Sequence, residues 1–503
     1  MMLTKTDFIQ YLNCLESLWL LKNQPDDYPN GEFSLFLQKL IEEGYEVEEQ
    51  AQKLFPHGIE LPEFGTPKDT QKILQNGGLC FFQAAFETNI GVFARVDILE
   101  HLPNNTWHLY EVKSSTSVKT DKKHNHLKDA CFQKYVLEQN GLSVSNVSII
   151  HLNKEYVRNG EIDLEQLLNI EDVTEKIRGL YSEVSIEIEQ AAHYINQKSI
   201  DTSQCSCRLN TRSNHCDSFS FFNTEIPEFS IYEIGNIRAN KIQDLNNEGV
   251  LSIGEIPNNF KLNAKQELQI ESFRHRKPII EKARIAKILS SLEFPLHFID
   301  YETYASAVPK IDGVRPHQHI PFQVSIHTIQ SDGSIEHFEF LAHELEIPTQ
   351  MVQFMSDSTG TIGTFISWHK SFEMGRNKDM IEWLPQYQEY LEFMNSNMFD
   401  LEDIFKSEYV DYRFHGSTSI KKVLPVLLPE LSYDDLGVQN GTMALDLWGR
   451  MVLDKNFKED KAQVRAALLE YCKLDTWAMV MLFKKLKETT KKRKIQHGIQ
   501  SRK

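Results

Sequence analysis

Residues 91–115, GVFARVDILEHLPNNTWHLYEVKSS, decide the fold of the first half of this 503-residue chain. Apolar and polar residues alternate through GVFARVDILE and again through WHLYEVKSS, and the turn-forming PNN separates the two runs, so they read as adjacent strands of one sheet. Asp97 falls near the end of the first strand, while Glu111 and Lys113 stand two apart on the second, and a period of two aims both at one face. Hydrolysis of a phosphodiester needs carboxylates to hold a divalent metal and a cation near the developing charge. Asp, Glu and Lys on neighbouring strands supply those parts, although a surface hairpin also carries charges for no such purpose.

Outward from the hairpin, LCFFQAAFE (79–87) and VSNVSIIHLN (144–153) read as further strands, and HLKDACFQKYVLEQNG (126–141) as a helix. Upstream, FIQYLNCLESLWLL (8–21) has helical spacing and SLFLQKLIEEGYEVEEQAQKLF (34–55) reads as another helix pair. Residues 1–224 thus form a mixed α/β unit. Residues 225–290 carry little strand signal and read as a helical connector. A second α/β pattern fills 291–485, and residues 486–503 form a basic tail with Lys491, Lys492, Arg493 and Lys494, as readable as solvated charge as a phosphate contact.

Composition agrees with separately folded units: 503 residues exceed one domain, and 41% hydrophobic with 25% charged residues excludes a disordered or fibrous chain. No apolar run approaches the ~18 residues needed to cross a bilayer, and Asp7, Asn13 and Glu16 break up the apolar stretch a signal peptide would need. A cytoplasmic protein without a membrane partner is expected. The net charge of −17 argues against coating nucleic acid through a basic field, yet sites for divalent cations concentrate carboxylates and reverse the local sign when loaded.

Seven cysteines are too few for a disulfide scaffold of this size. Cys205, Cys207 and Cys216 crowd together in TSQCSCRLNTRSNHC (202–216), and Cys14 lies in the first helix. Four thiolates complete a tetrahedral zinc site or hold an iron–sulfur cluster, and His215 could replace Cys14 around zinc. Cys80, Cys131 and Cys472 fall in apolar stretches and read as buried thiols.

In the second α/β pattern, EFPLHFIDYETY (293–304) is a strand ending in Asp300-x-Glu302, and FQVSIHTIQSDGSIEHFEFL (322–341) is a hairpin about SDGS. TIGTFISWHKSFE (361–373) reads as a strand running into Glu373, and ALLEYCKLDTWAMV (467–480) as a helix with Tyr471 and Asp475 on one face. Four such acids can hold two metals about 4 Å apart for in-line attack on a phosphodiester, with Tyr471 orienting water. Asp400 or Asp403 is an alternative source of the third acid. Ser417, Ser419, Lys421 and Lys422 in HGSTSIKK are equally readable as phosphate contacts or as a helix cap with solvated lysines.

These motifs resemble known families. Asp97, Glu111 and Lys113, with Gly44 and Glu48 upstream and Gln133 downstream, resemble the RecB-like exonuclease branch of the PD-(D/E)xK superfamily. That implies a restriction-endonuclease-like fold, Mg or Mn held by Glu48, Asp97 and Glu111, Lys113 in catalysis and Gln133 in support. One cysteine before the domain and three after it resemble the nucleases of CRISPR adaptation and of the AddB subunit, which implies a 4Fe-4S cluster on Cys14, Cys205, Cys207 and Cys216, with zinc as the alternative. The order D-x-E, N-x-x-F-D, Y-x-x-x-D resembles DnaQ-like exonucleases of the RNase H fold, with His369 and Glu373 standing where that family has Asn and Asp. That implies Mg or Mn on Asp300, Glu302, Glu373 and Asp475, and Tyr471 in catalysis. The connector resembles a helix-hairpin-helix insert, and the whole resembles a bacterial family that fuses the two nucleases. The expected activity is hydrolysis of DNA at single strands or ends, 3'-to-5' for the second half, in repair, recombination or defence. Nucleic acid is the expected partner, DNA before RNA, with room for an unidentified protein partner. The competing expectations are a nucleic-acid-binding module with one or both sites degenerate, and an RNA-directed exonuclease.

Overall fold

The computed structural model describes residues 1–29, 35–62, 65–121, 124–434 and 436–491, so Lys492, Arg493 and Lys494 of the basic tail lie outside the described residues. The fold is mixed α/β, with a six-stranded, a five-stranded and a two-stranded sheet and no barrel among the described residues. The chain divides into two compact units. One holds Met1–Glu228, Arg238–Gly249 and Ala305–Gln318; the other holds Phe229–Ile237, Val250–Tyr304 and His319–Lys503. The stretch 225–290 is therefore shared out between the units, and residues 305–318 of the expected second domain belong to the first.

In the first unit, strands β1 (Ile59–Glu60), β2 (Cys80–Glu87), β3 (Phe93–His101), β4 (Trp107–Lys113), β5 (Val144–Leu152) and β6 (Leu168–Asp172) lie side by side in that order. β2, β3 and β4 run antiparallel, β4 and β5 parallel, and β5 and β6 antiparallel. Helices His126–Gln139 and Thr174–Ile195 pack with this sheet through Phe132, Val136, Ile177 and Ile188, which join Val96, Leu99 and Ile149 in one buried core. Ala307 and Val308 are buried with Val47, Ile98 and Tyr110 in a second core of this unit, and that burial is why 305–318 belongs here.

FIQYLNCLESLWLL spans two helices, Lys5–Asn13 and Leu15–Asn23, and Cys14 lies between them rather than in the first, because its extended backbone (φ −160°, ψ 104°) ends one and opens the next. The expected pair in 34–55 is corrected: the described residues there hold one helix, Leu35–Gln52. Gly44 is too weak a breaker, at about 1 kcal/mol, against the burial of Val47 and Ala51 on its inner face.

In the second unit, β7 (Ile279–Ile280) pairs with β13 (Tyr409–Val410), and the main sheet combines β8 (Leu296–Tyr304), β9 (Ile320–Ile329), β10 (Ile335–Leu341), β11 (Thr364–Ser367) and β12 (Met398–Asp400) in the order β10-β9-β8-β11-β12. β8, β9 and β10 are antiparallel neighbours, whereas β11 runs parallel to both β8 and β12. Alternation along β8 sends Phe298 into a core with Phe322, Trp448 and Phe483, and Ile299 and Tyr301 into another with Met355, Phe365 and Leu391. Both faces are covered, which explains why β8 and β9 read as nearly continuous apolar runs. Helix Lys461–Thr490 runs past residue 485, so the first residues of the expected tail are helical. None of the described helices is long and apolar enough to cross a membrane.

Candidate functional site

Asp300 and Glu302 sit two apart on β8 and so share the face that carries Phe298, while Asp475 projects from helix Lys461–Thr490. One carboxylate oxygen from each lies within 4.8 Å of the others, and Glu302 and Asp475 are buried. Burial and mutual repulsion push Asp300 and Glu302 well above the usual carboxylate range, and burial pushes Asp475 up to about 6. Such a cluster is electrostatically incomplete: removing carboxylates from water while holding them together is unfavourable until a cation joins them.

Glu373 is placed differently from expectation. β11 ends at Ser367, and Glu373 lies in the first turn of helix Ser371–Trp383 rather than at a strand end. It is 2% exposed, its Oε2 has no hydrogen-bond partner among the described residues, and burial pushes it up to about 8. Its charge acts on Asp300, although it is outside the 4.8 Å group. Neither alternative acid replaces it. Asp400 is buried and accepts from the backbone N–H groups of His369, Lys370 and Glu402 at 3.0, 3.2 and 3.1 Å, which makes it a local brace. Asp403 is an exposed partner of Lys406. The His369 backbone is held at φ +72°, a strained conformation for a residue other than glycine.

Tyr433 was not legible as a site residue, since nothing in LLPELSYDD marks it. Its hydroxyl donates to Asp475 Oδ1 at 2.6 Å. Tyr471 lies on the same helix as Asp475, one turn before it, with its ring 6.1 Å from that of Tyr433. Lys421 reaches over the rings of both tyrosines, at 5.5 and 5.9 Å, and donates to the Gln439 carbonyl. Lys422 is exposed, and Ser419 caps helix Ile420–Leu427 without a side-chain hydrogen bond, its N–H donating to the Ser417 hydroxyl. Cys472 is buried as expected and donates weakly to Asp300.

In the first unit β3 and β4 carry Asp97, Glu111 and Lys113. Glu111 is fully buried; its Oε1 meets Lys113 Nζ at 2.7 Å and Lys5 Nζ at 2.5 Å, and its Oε2 accepts from Gln133. Lys113 also holds Asp129 at 2.5 Å. Burial works against the charge on Glu111, but the two ammonium groups outweigh it and hold the carboxyl well below its ordinary range. Asp97 accepts from the Val112 N–H at 2.8 Å, and burial with Glu111 and Glu48 nearby pushes it well above its ordinary value. Glu48 accepts from Gln83 and Gln52, and its pKa is raised by burial. The site therefore includes three residues that the sequence reading missed: Lys5, Asp129 and Gln83. Gln83 sits in β2 with φ +57°, and no sequence signal marks that strain.

The third group is Cys14, Cys205, Cys207 and Cys216, whose sulfurs all lie within 4.8 Å of one another. Cys205 and Cys216 are 4.0 Å apart. Hydrogen bonding among the thiols lowers Cys14 to about 7. His215 instead stacks on Phe219 with ring centroids 3.6 Å apart. Four thiols so gathered could hold a metal, as a tetrahedral zinc or as an iron–sulfur cluster.

Residues 297–419 match a domain of unknown function, DUF2779. The matched stretch carries Asp300, Glu302, Glu373 and Asp400 and ends before Tyr471 and Asp475. The chain is 27% identical over 256 residues to the uncharacterized protein MG366 homolog of Mycoplasma pneumoniae, covering 47% of this chain and 38% of that protein. To uncharacterized protein MG366 of Mycoplasma genitalium it is 27% identical over 217 residues, covering 39% and 32%. The chain spans about a third of the length of these curated relatives. Neither name states a substrate or a reaction, so the chemistry rests on the residues themselves.

Proposed function

We propose that this chain is a metal-dependent nuclease with two sites, an N-terminal one of PD-(D/E)xK type and a C-terminal one of DnaQ-like RNase H type, hydrolysing DNA at single strands or ends. The observation that carries the reading is the convergence of Asp300, Glu302 and Asp475, from a strand and a helix, within 4.8 Å. Three hard oxygen donors at that spacing suit Mg or Mn. Asp300, Glu302 and Asp475 would hold a divalent cation, which would supply polarisation of the phosphate and activation of water. Tyr433 holds Asp475 in place, Tyr471 is placed to orient water, and Lys421, over both tyrosine rings, supplies an ammonium for an incoming phosphate. In the first unit Asp97, Glu111 and Glu48 would hold the cation, Lys113 supplies positive charge, and Gln133 orients Glu111.

The test is Mn-dependent digestion of end-labelled single-stranded DNA by the full chain. Asp97→Ala or Lys113→Ala removes one activity, and Asp300→Ala removes the other. A variant that cleaves as well as the parent at saturating Mn shows that its site is misassigned. The position of Glu373 outside the acid group favours a second reading, in which the C-terminal site holds nucleic-acid ends without cutting them; that reading predicts retained binding of the labelled strand with no cleavage after Asp97→Ala.

At the cysteines we propose a metal centre, a 4Fe-4S cluster with zinc as the alternative, that ties Cys14 to the segment after the first α/β unit. Anaerobically purified protein is then brown, with about four irons per chain. A colourless protein with one zinc per chain shows the alternative, and one without metal overturns the centre.

A further inference from the structure

Both oxygens of Glu111 are already engaged, Oε1 by Lys5 and Lys113 and Oε2 by Gln133. A cation that uses Glu111 as a ligand must therefore displace a donor. The two ammonium groups are unequally held. Lys113 sits on β4 between Glu111 and Asp129, and its side chain is 18% exposed. Lys5 has a different footing: its side chain is 29% exposed, and the ion pair that the described residues give it is with Glu111. It occupies the first position of helix Lys5–Asn13, whose start is fixed by a capping box in which the Thr4 N–H donates to Asp7 Oδ2 at 2.8 Å. The backbone is anchored while the side chain, one rotatable stem reaching inward, can swing out to water.

From this we infer that Lys5 is a further residue of the N-terminal site, an ammonium that exchanges with the divalent cation for Glu111. The inference rests on the proposed metal-dependent nuclease site. Lys5 keeps the fully buried Glu111 charged and oriented, and gives up the carboxylate oxygen when the cation arrives, while Lys113 remains clamped by Asp129. Asp129 Oδ1 and Gln133 Oε1, both buried and without hydrogen-bond partners among the described residues, leave acceptors beside the exchange point. Lys5 is thus a positioning residue that sets how readily the site loads.

The experiment titrates Mn into the full chain carrying Asp300→Asn, so that the C-terminal site is silent, and follows free Mn by its paramagnetic resonance signal together with the thermal midpoint in chelator. Lys5→Met, neutral and of similar length, is expected to bind Mn about tenfold more tightly and to melt lower in chelator, because Glu111 then lacks one of its two cations. Lys5→Arg is expected to move affinity the opposite way, several-fold weaker, because a guanidinium grips a carboxylate with two parallel hydrogen bonds. The Arg variant keeps the test decisive if the Met variant does not fold. Unchanged Mn affinity in both variants, with binding abolished by Asp97→Asn, overturns the exchange and leaves the nuclease site standing. Mn binding that survives Asp97→Asn overturns the site itself, and the role of Lys5 with it.

Discussion

Asp300→Asn lowers Mn-dependent cleavage by the C-terminal site roughly a thousandfold and, in chelator, raises the thermal midpoint of the protein. The two effects have one cause. Asp300 is pushed well above its ordinary range by burial and by Asp475, Glu302 and Glu373, so the fold holds protons there that the unfolded chain would release. A carboxyl raised on folding loses stability as pH climbs from its unfolded value, about 4, through its folded value. With Asp475 at about 6 and Glu373 at about 8, the midpoint in chelator is expected to fall from pH 5 to pH 8. The amide removes one charge and flattens that slope. In an Asp97→Asn background, which silences the first unit's site, adding Mn at a hundred times its dissociation constant stabilises the chain that keeps Asp300 by about 2.7 kcal/mol, a rise of several degrees that Asp300→Asn lacks. A variant that is no more stable than the parent at pH 8 in chelator, or that in the Asp97→Asn background still gains stability from Mn, would show that these acids do not form a cation site.

The sequence made most strands readable, because period-two alternation and turn residues mark them locally. β3, β4 and β8 fall where the alternation of GVFARVDILE, WHLYEVKSS and LHFIDYETY places them. The break at Cys14 was not legible, since the apolar spacing of residues 8–18 continues through it and the extended backbone there is compatible with any residue. Glu373 was misplaced by three residues of turn, because Phe365, Ile366 and Phe372 extend one apolar pattern across it and the helix start at Ser371 carries no side-chain cap. In the site, Asp300 and Glu302 could be named because carboxylates two apart on one strand face are a local pattern, and Asp475 because it stands one helical turn from Tyr471. Lys5, Asp129 and Tyr433 could not, since each reaches its partner across a long sequence separation: Lys5 meets Glu111 at a separation of 106 residues and Tyr433 meets Asp475 at 42.

Cys14→Ser is expected to remove the metal from the cysteine group and to lower the melting temperature of the first unit by more than any other single thiol change. Two contributions have to be separated. Cys14 is buried with Leu20, Cys205, Cys207 and Phe222, and placing a hydroxyl there costs about 1–3 kcal/mol whether or not a metal binds. Losing a ligand of a structural ion costs several kcal/mol more, because the ion's binding energy is folding energy when no preformed site exists in the unfolded chain. Cys131→Ser isolates the first contribution. Cys131 is fully buried in the core of the same unit, and its thiol makes only a 4.0 Å contact with the Ile177 carbonyl. Cys14→Ser should therefore melt well below Cys131→Ser, and a chelator should bring the parent down toward the Cys14 variant while leaving that variant unmoved. Equal melting temperatures for the two serine variants, with no response of the parent to chelator, would reduce Cys14, Cys205, Cys207 and Cys216 to four packed thiols and leave the carboxylate clusters as the remaining cation sites.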